Sequence, residues 1–212
     1  MAQIKTFVFN PFQENTFILY DNTKECVVID AGCNEESEFK QIDQFIQENN
    51  LQLKAVVNTH CHIDHIMGNA YFVKKYKVDS VAHKEEMPLI ERSKDMALAF
   101  GFEVEEPPVP NSLVDEGDEI KFGNIVLQVK HVPGHSPGSI ALYNENEKYV
   151  IVGDVLFAGG IGRTDLPGGD YNTLISSIQS KLFTLNDDVV VYPGHGEKTT
   201  IEREKSTNPF FN

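Results

Sequence analysis

The sequence predicts an α/β fold in which two β-sheets pack face to face and helices cover their outer faces. Two observations carry this prediction: each half of the chain is β-rich first and helical afterwards, and short apolar strands alternate with amphipathic helical runs. A sheet with one apolar face needs a second layer to bury that face, and stacked sheets with outer helices supply it. At 212 residues and 41% apolar composition the chain can bury a substantial core, so we expect a single domain over residues 1–212.

The first half of the chain begins with short β-rich runs separated by Asn, Pro, Asp and Gly, the residues that form turns most easily. We predict strands over 4–9, 16–20 and 26–30, two or three of which pair antiparallel. From Glu36 onward, apolar side chains recur at the spacing of an amphipathic helix, at Phe39, Ile42, Phe45 and Ile46. A buried strand over 53–58 follows. Ligand-type residues come directly after it, at the strand end where open α/β sheets place their ligands.

The remaining elements repeat the order of strands and helices. We predict helices over 69–77, 85–100 and 171–182, and strands over 80–83, 119–122, 125–131, 139–144, 149–153 and 189–192. The proline-rich segment 107–110 predicts a rigid, exposed crossover between the two halves. With the strands of the first half, these elements provide the two sheets and the outer helices.

Charge and composition exclude several classes of partner. The chain has 18 basic and 32 acidic side chains, a formal charge of −14, which repels phosphate backbones and predicts no nucleic-acid partner. No apolar run reaches the roughly 20 residues that cross a bilayer, so we expect no membrane association. Three cysteines without scaffold-like spacing, and no leader-like segment after Met1, predict a cytoplasmic protein. Oligomeric state is left open.

Seven side chains of the types that bind metals follow or interrupt predicted strands. They are His60, His62, Asp64, His65, His135, Asp154 and His195. Imidazole and carboxylate groups suit divalent zinc, iron or manganese, and four of them fall within six residues. His135 or His195 alone would fit a structural histidine. Both lie in glycine-rich turns that fix the backbone, as a preorganised site requires, and the set together predicts a metal centre.

The motifs around these residues resemble the metallo-β-lactamase superfamily in order and approximate spacing. They are HCHIDH at 60–65, GHSPG at 134–138, GD at 153–154 and GHG at 194–196. The resemblance implies an αββα sandwich of two mixed β-sheets and two divalent ions, with zinc expected first and iron or manganese as alternatives. The implied first-ion ligands are His60, His62 and His135, those of the second are Asp64, His65 and His195, and Asp154 bridges the two.

Two later segments resemble the glyoxalase II-like branch of the superfamily: FAGGIGRTD at 157–165 and EKSTNPF at 204–210. Only 17 residues follow His195, so the chain resembles that enzyme without its C-terminal helical glutathione-binding region. The branch implies hydrolysis of a small-molecule acyl thioester such as S-lactoylglutathione. Two ions about 3.5–4 Å apart generate a bridging hydroxide at neutral pH. Asp64 would be catalytic as a ligand that also orients the hydroxide.

The main alternative is a mononuclear iron persulfide dioxygenase, because the segments 58–62 and 162–165 also resemble that family. Such an enzyme would use only His60, His135 and Asp154, as two histidines and one carboxylate. The segment 166–170 modestly favours the hydrolase. An RNA-processing nuclease is disfavoured by the acidic charge, and a closed structural zinc site by the number of ligands. The aspartate at position 154 argues against the best-known β-lactamases, which use a cysteine there.

Several other residues carry weaker expectations. Cys61 lies between two ligands and is expected to point into the protein. Arg163 and Asp165 are predicted to form an ion pair that orients the site, although a structural role fits them equally well. The remaining candidates are Tyr171 and Lys198 as substrate contacts, and His83 and His131 as core residues or supports of the ligands.

Overall fold

The computed structural model describes residues 1–212 and contains two six-stranded sheets and a two-stranded hairpin. The first sheet has the order β1-β2-β3-β4-β5-β6. Its strands are β1 (Gln3–Phe9), β2 (Glu14–Tyr20), β3 (Glu25–Ile29), β4 (Gln52–Val57), β5 (Asp79–His83) and β6 (Ser112–Val114). The pairs β1–β2 and β2–β3 are antiparallel, as predicted, and β3 to β6 run parallel. The sheet is therefore mixed.

The second sheet has the order β14-β13-β10-β9-β8-β7 and is also mixed. Its strands are β7 (Glu119–Phe122), β8 (Ile125–His131), β9 (Ile140–Asn144), β10 (Tyr149–Gly153), β13 (Val190–Pro193) and β14 (Thr199–Thr200). Only β10 and β13 pair in parallel. The hairpin of β11 (Leu156–Phe157) and β12 (Gly160–Ile161) stands apart from both sheets.

The two sheets pack against each other through alternate side chains of their strands. In β3, Val27 and Ile29 belong to the core between the sheets, whereas Cys26 and Val28 face the other way, toward the outer helices. Strand β9 alternates in the same way in the second sheet, with Leu142 in the core between the sheets. Successive side chains of a strand point to opposite faces, and both faces are apolar here, so each sheet is covered on both sides.

Helices cover the outer face of each sheet. They are α1 (Glu36–Glu48), α2 (Ile63–Ile66), α3 (Asn69–Tyr76), α4 (Met87–Glu91), α5 (Ser93–Ala99), α6 (Tyr171–Ser177) and α7 (Ile201–Thr207). Ile42 of α1 and Phe72 of α3 pack on the first sheet, and Leu174 of α6 and Ile201 of α7 pack on the second. The predicted αββα sandwich is confirmed. None of these helices has both the length and the apolar character needed to cross a membrane.

The predicted single helix over 85–100 is wrong. A 3-10 turn (Lys84–Glu86) leads into α4, and the helical conformation is interrupted at Arg92 before α5 begins. At the break the Ser93 hydroxyl donates to the carbonyl of Ile90 at 2.7 Å, a side-chain bond that competes with regular helix geometry. The predicted helix over 171–182 forms as α6 continued by a π-helical turn (Ile178–Leu182).

Short elements were not predicted from the sequence. Strands β6, β11, β12 and β14 have only two or three residues each, which is too short to show an alternating pattern. Helix α7 also escaped prediction, although Thr200 caps its first turn by accepting a hydrogen bond from the backbone N–H of Arg203. The helical turn α2 was not predicted either, and Asp64 and His65 of the run at 60–65 lie in it.

Candidate metal centre

The seven ligand-type side chains meet at one end of the sandwich, and both sheets contribute to the set. His60 and His62 follow β4 of the first sheet, and Asp64 and His65 occupy α2 immediately afterwards. The other three follow strands of the second sheet: His135 after β8, Asp154 after β10 and His195 after β13. These seven residues were predicted from their metal-binding types and their positions at strand ends. In the structure all seven side chains lie close together.

Asp30, at the end of β3, holds the segment just before His60. Its carboxylate accepts hydrogen bonds from the Thr59 backbone N–H at 2.7 Å and the Thr59 hydroxyl at 2.6 Å. The side chain of Asn58 donates to the carbonyl of His65 at 3.1 Å, which ties the strand end to α2. These buried hydrogen bonds fix the backbone on both sides of His60 without any contribution from a bound ion.

Two glycines allow the strand ends to approach each other. A Cβ on Gly153 would lie 2.2 Å from the Thr59 hydroxyl oxygen, and one on Gly194 would lie 2.3 Å from Asp154 Oδ1. Both distances are below those of real carbon contacts. Gly153 also has φ of 52°, a conformation that side chains disfavour. The β10 and β13 ends can therefore carry Asp154 and His195 into the centre only with glycine at these positions.

Three histidines form the first group of ligand atoms. His62 Nδ1 lies 2.8 Å from His135 Nε2, which lies 3.2 Å from His60 Nε2. His60 is 1% exposed and His135 is 2% exposed. Three ring nitrogens this close, with little access to water, are arranged to share one cation.

The second group combines one carboxylate and two histidines. Asp64 Oδ2 lies 3.2 Å from His195 Nε2 and 3.6 Å from His65 Nε2. Asp154 lies between the two groups: its Oδ1 is 3.5 Å from His65 Nε2, and its Oδ2 is 3.5 Å from His195 Nε2 and 3.8 Å from His135 Nε2. The Asp154 carboxylate therefore faces histidines of both groups.

Hydrogen bonds on the outer ring nitrogens orient the histidines of both groups. Carbonyl oxygens can only accept, so the Nδ1–H of His135 donates to Arg163 at 2.8 Å, and that of His195 donates to Phe12 at 3.0 Å. Nδ1 of His65 lies 3.2 Å from Asp30 Oδ2. In each of these rings Nε2 is left to face the centre, which is the usual arrangement of metal-binding histidines.

Unpartnered polar atoms support the fit of a divalent ion. His65 Nε2 and Asp154 Oδ1 are buried, and neither has a hydrogen-bond partner, although they face each other at 3.5 Å. Leaving such groups unsatisfied costs about 1–3 kcal/mol each, and more for a charged group. A cation between them would satisfy both. The donor set of imidazole and carboxylate groups suits zinc, iron or manganese.

The electrostatics differ between the two groups. Burial, together with the neighbouring histidines, lowers the pKa of His62 to about 3 and holds the pKa of His60 well below its usual range. These rings are neutral and ready to coordinate. Burial also acts to lower the pKa of His65, but the carboxylates of Asp64 and Asp154 outweigh it and raise the pKa. The second group therefore favours a bound proton more than the first group does, and a cation that binds there competes with that proton.

A cavity of about 230 Å³ opens onto the centre. Its floor contains His62, Asp64, His135, Asp154 and His195, and its other lining residues are Phe12, Ile63, Met96, Phe100, Arg163 and Leu166. A larger groove of about 470 Å³, beside Glu116 and Lys181, includes none of the seven ligand-type residues and is lined mainly by polar residue types. The cavity over the centre is therefore the candidate substrate site.

The weaker expectations have mixed outcomes. Cys61 is 1% exposed and packs with Ile66 and Ile90, so it points into the protein, as expected. The predicted Arg163–Asp165 pair forms through two hydrogen bonds of 2.7 Å. Neither Tyr171 nor Lys198 lines the cavity. His83 and His131 stack on each other at 4.1 Å and form no hydrogen bond with the ligand-type residues.

Three supporting residues were missed by the sequence analysis: Asp30, Thr59 and Glu86. Asp30 had a usable signal, because it ends a predicted strand just as the ligand-type residues do, and β3 and β4 are neighbours in the sheet. Glu86 had none. It lies inside a segment predicted to be helical, and its partners are 25 to 52 residues away along the chain.

The sandwich and the ligand set at its edge define a class of protein. Residues 9–195 match the metallo-beta-lactamase superfamily, and the chain belongs to that superfamily. Hydroxyacylglutathione hydrolase GloC of Haemophilus influenzae is 39% identical over 204 residues, which cover 95% of this chain and 94% of the relative.

Two solved structures are similar over nearly their whole length. BLEG-1, a B3 metallo-beta-lactamase, has a TM-score of 0.91 and 31% identity, and the match covers 99% of this chain and 100% of that one. TTHA1623 in a di-iron-bound form has a TM-score of 0.87 and 36% identity, with 97% and 99% covered. These matches agree with the fold described above.

Proposed function

We propose that the chain is a two-metal hydrolase of acyl thioesters, with S-lactoylglutathione as a candidate substrate. The observation that carries this proposal is the position of Asp154 between two groups of three ligand-type side chains, at the floor of an open cavity. The similarity to a relative named hydroxyacylglutathione hydrolase supports the choice of a thioester.

We assign one metal ion to each of the two groups of ligand-type side chains described above. One ion is assigned to His60, His62 and His135, the other to Asp64, His65 and His195, with Asp154 shared. When bound, two such ions lower the pKa of a water toward neutrality and polarise a carbonyl group. Zinc is the first expectation, and the di-iron form of a relative makes iron the natural second metal to test.

Asp64 is the proposed catalytic residue of the chain. Its side chain is 16% exposed and lines the cavity, and Oδ2 faces the two histidines of its group. The other oxygen is left to accept a hydrogen bond from the attacking water and so orient it. The water oxygen bonds to the thioester carbonyl carbon, the carbon–sulfur bond breaks, and the products are a carboxylic acid and a free thiol.

The cavity offers no side-chain nucleophile that would compete with water. Cys61 is next to two ligands in sequence, but burial raises the pKa of its thiol well above the usual range, and the side chain packs with apolar neighbours. An acyl–enzyme intermediate on this cysteine is therefore not part of the proposal. The cavity lining contains no serine, threonine or cysteine. Direct attack by water is the mechanism that these residues support.

Two competing functions share parts of this geometry. An iron persulfide dioxygenase would need only His60, His135 and Asp154, which lie close together, but would leave Asp64, His65 and His195 without a role. Hydrolysis of a β-lactam is suggested by the similarity to BLEG-1. Both belong in the same activity screen as the thioesters.

The test combines elemental analysis with that screen. The protein is loaded separately with zinc and with iron, and its metal content is compared with its activity on S-lactoylglutathione, glutathione persulfide and nitrocefin. We expect close to two ions per chain and turnover of the thioester above the other two. One iron per chain with oxygen uptake on the persulfide would overturn the hydrolase assignment.

Substitution at the bridging position provides the second test. We expect Asp154→Ala to lower thioesterase activity by about a thousandfold or more, since both ions lose a ligand. Metal content should fall, while circular dichroism shows a folded chain. Asp188→Asn is the matched control, because Asp188 is exposed and pairs only with Lys148. Unchanged turnover in Asp154→Ala would refute the assignment.

A further inference from the structure

Part of the cavity lining is apolar, and two of its aromatic residues are open to solvent. Phe12 is 40% exposed and Phe100 is 49% exposed, and their rings contact each other edge to face at 5.7 Å. They come from different parts of the chain, the turn between β1 and β2 and the end of α5. Exposed aromatic rings gathered at the mouth of a cavity mark a surface that binds apolar ligands. Five residues form this apolar wall: Phe12, Ile63, Met96, Phe100 and Leu166.

Hydrogen bonds and ring contacts of Phe12 fix the position of the apolar wall relative to the ligand-type residues. The carbonyl of Phe12 accepts the hydrogen bond from His195, and its backbone N–H donates to Asn10 at 2.9 Å. The Phe12 ring also contacts Phe102 at 5.7 Å. Ile63 lies between His62 and Asp64 in the sequence and is 5% exposed. A substrate group placed on the wall is therefore beside the reacting carbonyl.

Outside the proposed metal ligands, the cavity lining has no free basic side chain to bind an anionic group. Arg163 is the only lysine or arginine in the lining, and Asp165 already binds its guanidinium through two hydrogen bonds. Two divalent ions would offset the carboxylates of Asp64 and Asp154, but the proposed reaction commits those ions to the water and to the thioester carbonyl. A charged thiol carrier is thus better placed in solvent, with the uncharged acyl group inside.

We propose that the apolar wall is an acyl-binding subsite and that the preferred substrates are thioesters of apolar acyl groups longer than lactoyl. This inference rests on the proposed thioesterase function and adds the substrate class to it. The acyl chain lies against Phe12, Phe100 and their neighbours. Hydrolysis then releases an apolar carboxylic acid and the thiol carrier.

The test uses thioesters of N-acetylcysteamine, a small uncharged thiol, with acetyl, butyryl, hexanoyl and octanoyl groups. Burial of each methylene against the wall should raise kcat/KM about threefold, mainly through KM. We expect Phe12→Ser and Phe100→Ser to reduce the hexanoyl-to-acetyl ratio about fivefold or more. Phe210→Ser is the control, because Phe210 is 46% exposed and does not line the cavity.

A binding measurement separates failure of this subsite from failure of the proposed function. Thioether ketones, in which a methylene separates the sulfur from the carbonyl, cannot be hydrolysed. We expect calorimetry with the metal-loaded protein to show tighter binding of the hexanoyl analogue than of the acetyl one, and Phe100→Ser to remove most of that difference.

The outcomes divide as follows. If no thioester is hydrolysed but the longer analogue still binds more tightly through Phe100, the thioesterase proposal fails and the apolar subsite stands. If thioesters are hydrolysed with a flat dependence on acyl length, or if Phe210→Ser changes the ratio as much as Phe100→Ser, the subsite is overturned. The subsite is also overturned if kcat/KM rises when apolar groups are added to the thiol but not when they are added to the acyl group.

Discussion

The carboxylate of Glu86 accepts a hydrogen bond of 2.6 Å from the backbone N–H of Cys61, the residue between His60 and His62. Its other oxygen accepts bonds from the Ser136 hydroxyl at 2.7 Å and the Gly138 backbone N–H at 2.6 Å, just after His135. Glu86 is 1% exposed. One buried side chain thus joins the two segments that carry the first group of histidines.

Replacing Glu86 should loosen that junction. All three partners donate, so the amide group of Glu86→Gln would turn its own donors toward at least one of them. We expect metal affinity to fall about 10- to 100-fold. The free energy of unfolding should fall by about 1–3 kcal/mol.

Competition with a chelator measures the metal affinity, and urea unfolding measures the stability. The neighbouring Glu85→Gln is the control, since Glu85 is exposed. Equal metal affinity in the two variants would show that Glu86 does not position the ligands.

Uptake of zinc by metal-free protein should release protons. Burial lowers the pKa of His65 and His195, but the neighbouring carboxylates outweigh it, so both values lie above the usual range. The raised pKa values favour protonation of both rings, and any proton on Nε2 must leave before an ion can coordinate there. We expect zinc affinity to rise between pH 6 and pH 8. Calorimetry in buffers of different ionisation enthalpy measures the protons released, and a heat that does not depend on the buffer would contradict this prediction.

Asp21 should contribute to stability in a defined range of pH. Burial acts to raise its pKa, but hydrogen bonds from Thr23 and Asn124 outweigh burial and lower the pKa from 3.8 to about 2. Its charged form therefore stabilises the fold above pH 3.8, and the contribution is lost as the pH falls through about 2. We expect Asp21→Asn to lower the free energy of unfolding by about 1–2 kcal/mol at pH 7.

Urea unfolding of the metal-free protein between pH 7 and pH 3 tests this expectation. The difference between wild type and Asp21→Asn should shrink as the pH approaches 3. Asp95→Asn is the control, since Asp95 is exposed on α5. A difference that stays constant over this range would mean that the charge of Asp21 is not what stabilises the junction with Asn124.

Cys61→Ala should separate packing from metal binding. The thiol lies in an apolar cluster with Ile63, Met67 and Ala97. Its loss should cost about 1 kcal/mol of stability through lost contacts. Metal content should not change, because the thiol is buried in this cluster and belongs to none of the groups of ligand atoms that could hold an ion. Loss of one equivalent of metal in Cys61→Ala, measured beside wild type, would show that the thiol coordinates an ion.

The spacing of particular residues explains how much the sequence could predict. His60, His62, Asp64 and His65 lie within six residues, so their chemistry is visible before any fold is known. The outer layers follow from helical spacing, as with Ile42 in α1. Supporting residues depend on contacts far along the chain: Asp30 bonds Thr59 across 29 residues, and Glu86 bonds Gly138 across 52. Such bonds leave no local pattern.

The apolar wall was hidden from the sequence for a related reason. Phe12 and Phe100 read as single exposed aromatic residues in a turn and at a helix end, and only the fold brings their rings into contact. Helix α5 begins only after the break at Arg92 and ends just before Phe100, and the Ser93 hydroxyl forms a local hydrogen bond at that break. A pattern of apolar spacing reports neither of these features.

Because the proposed metal ligands follow strands of both sheets, metal binding would be a property of the whole sandwich. A chain cut at the proline-rich segment 107–110 would carry His60, His62, Asp64 and His65 on one fragment and the other three ligands on the second. Neither fragment has a complete group of three together with Asp154. Tight binding of both ions would therefore require the fragments to reassemble, and metal retention would report their complementation.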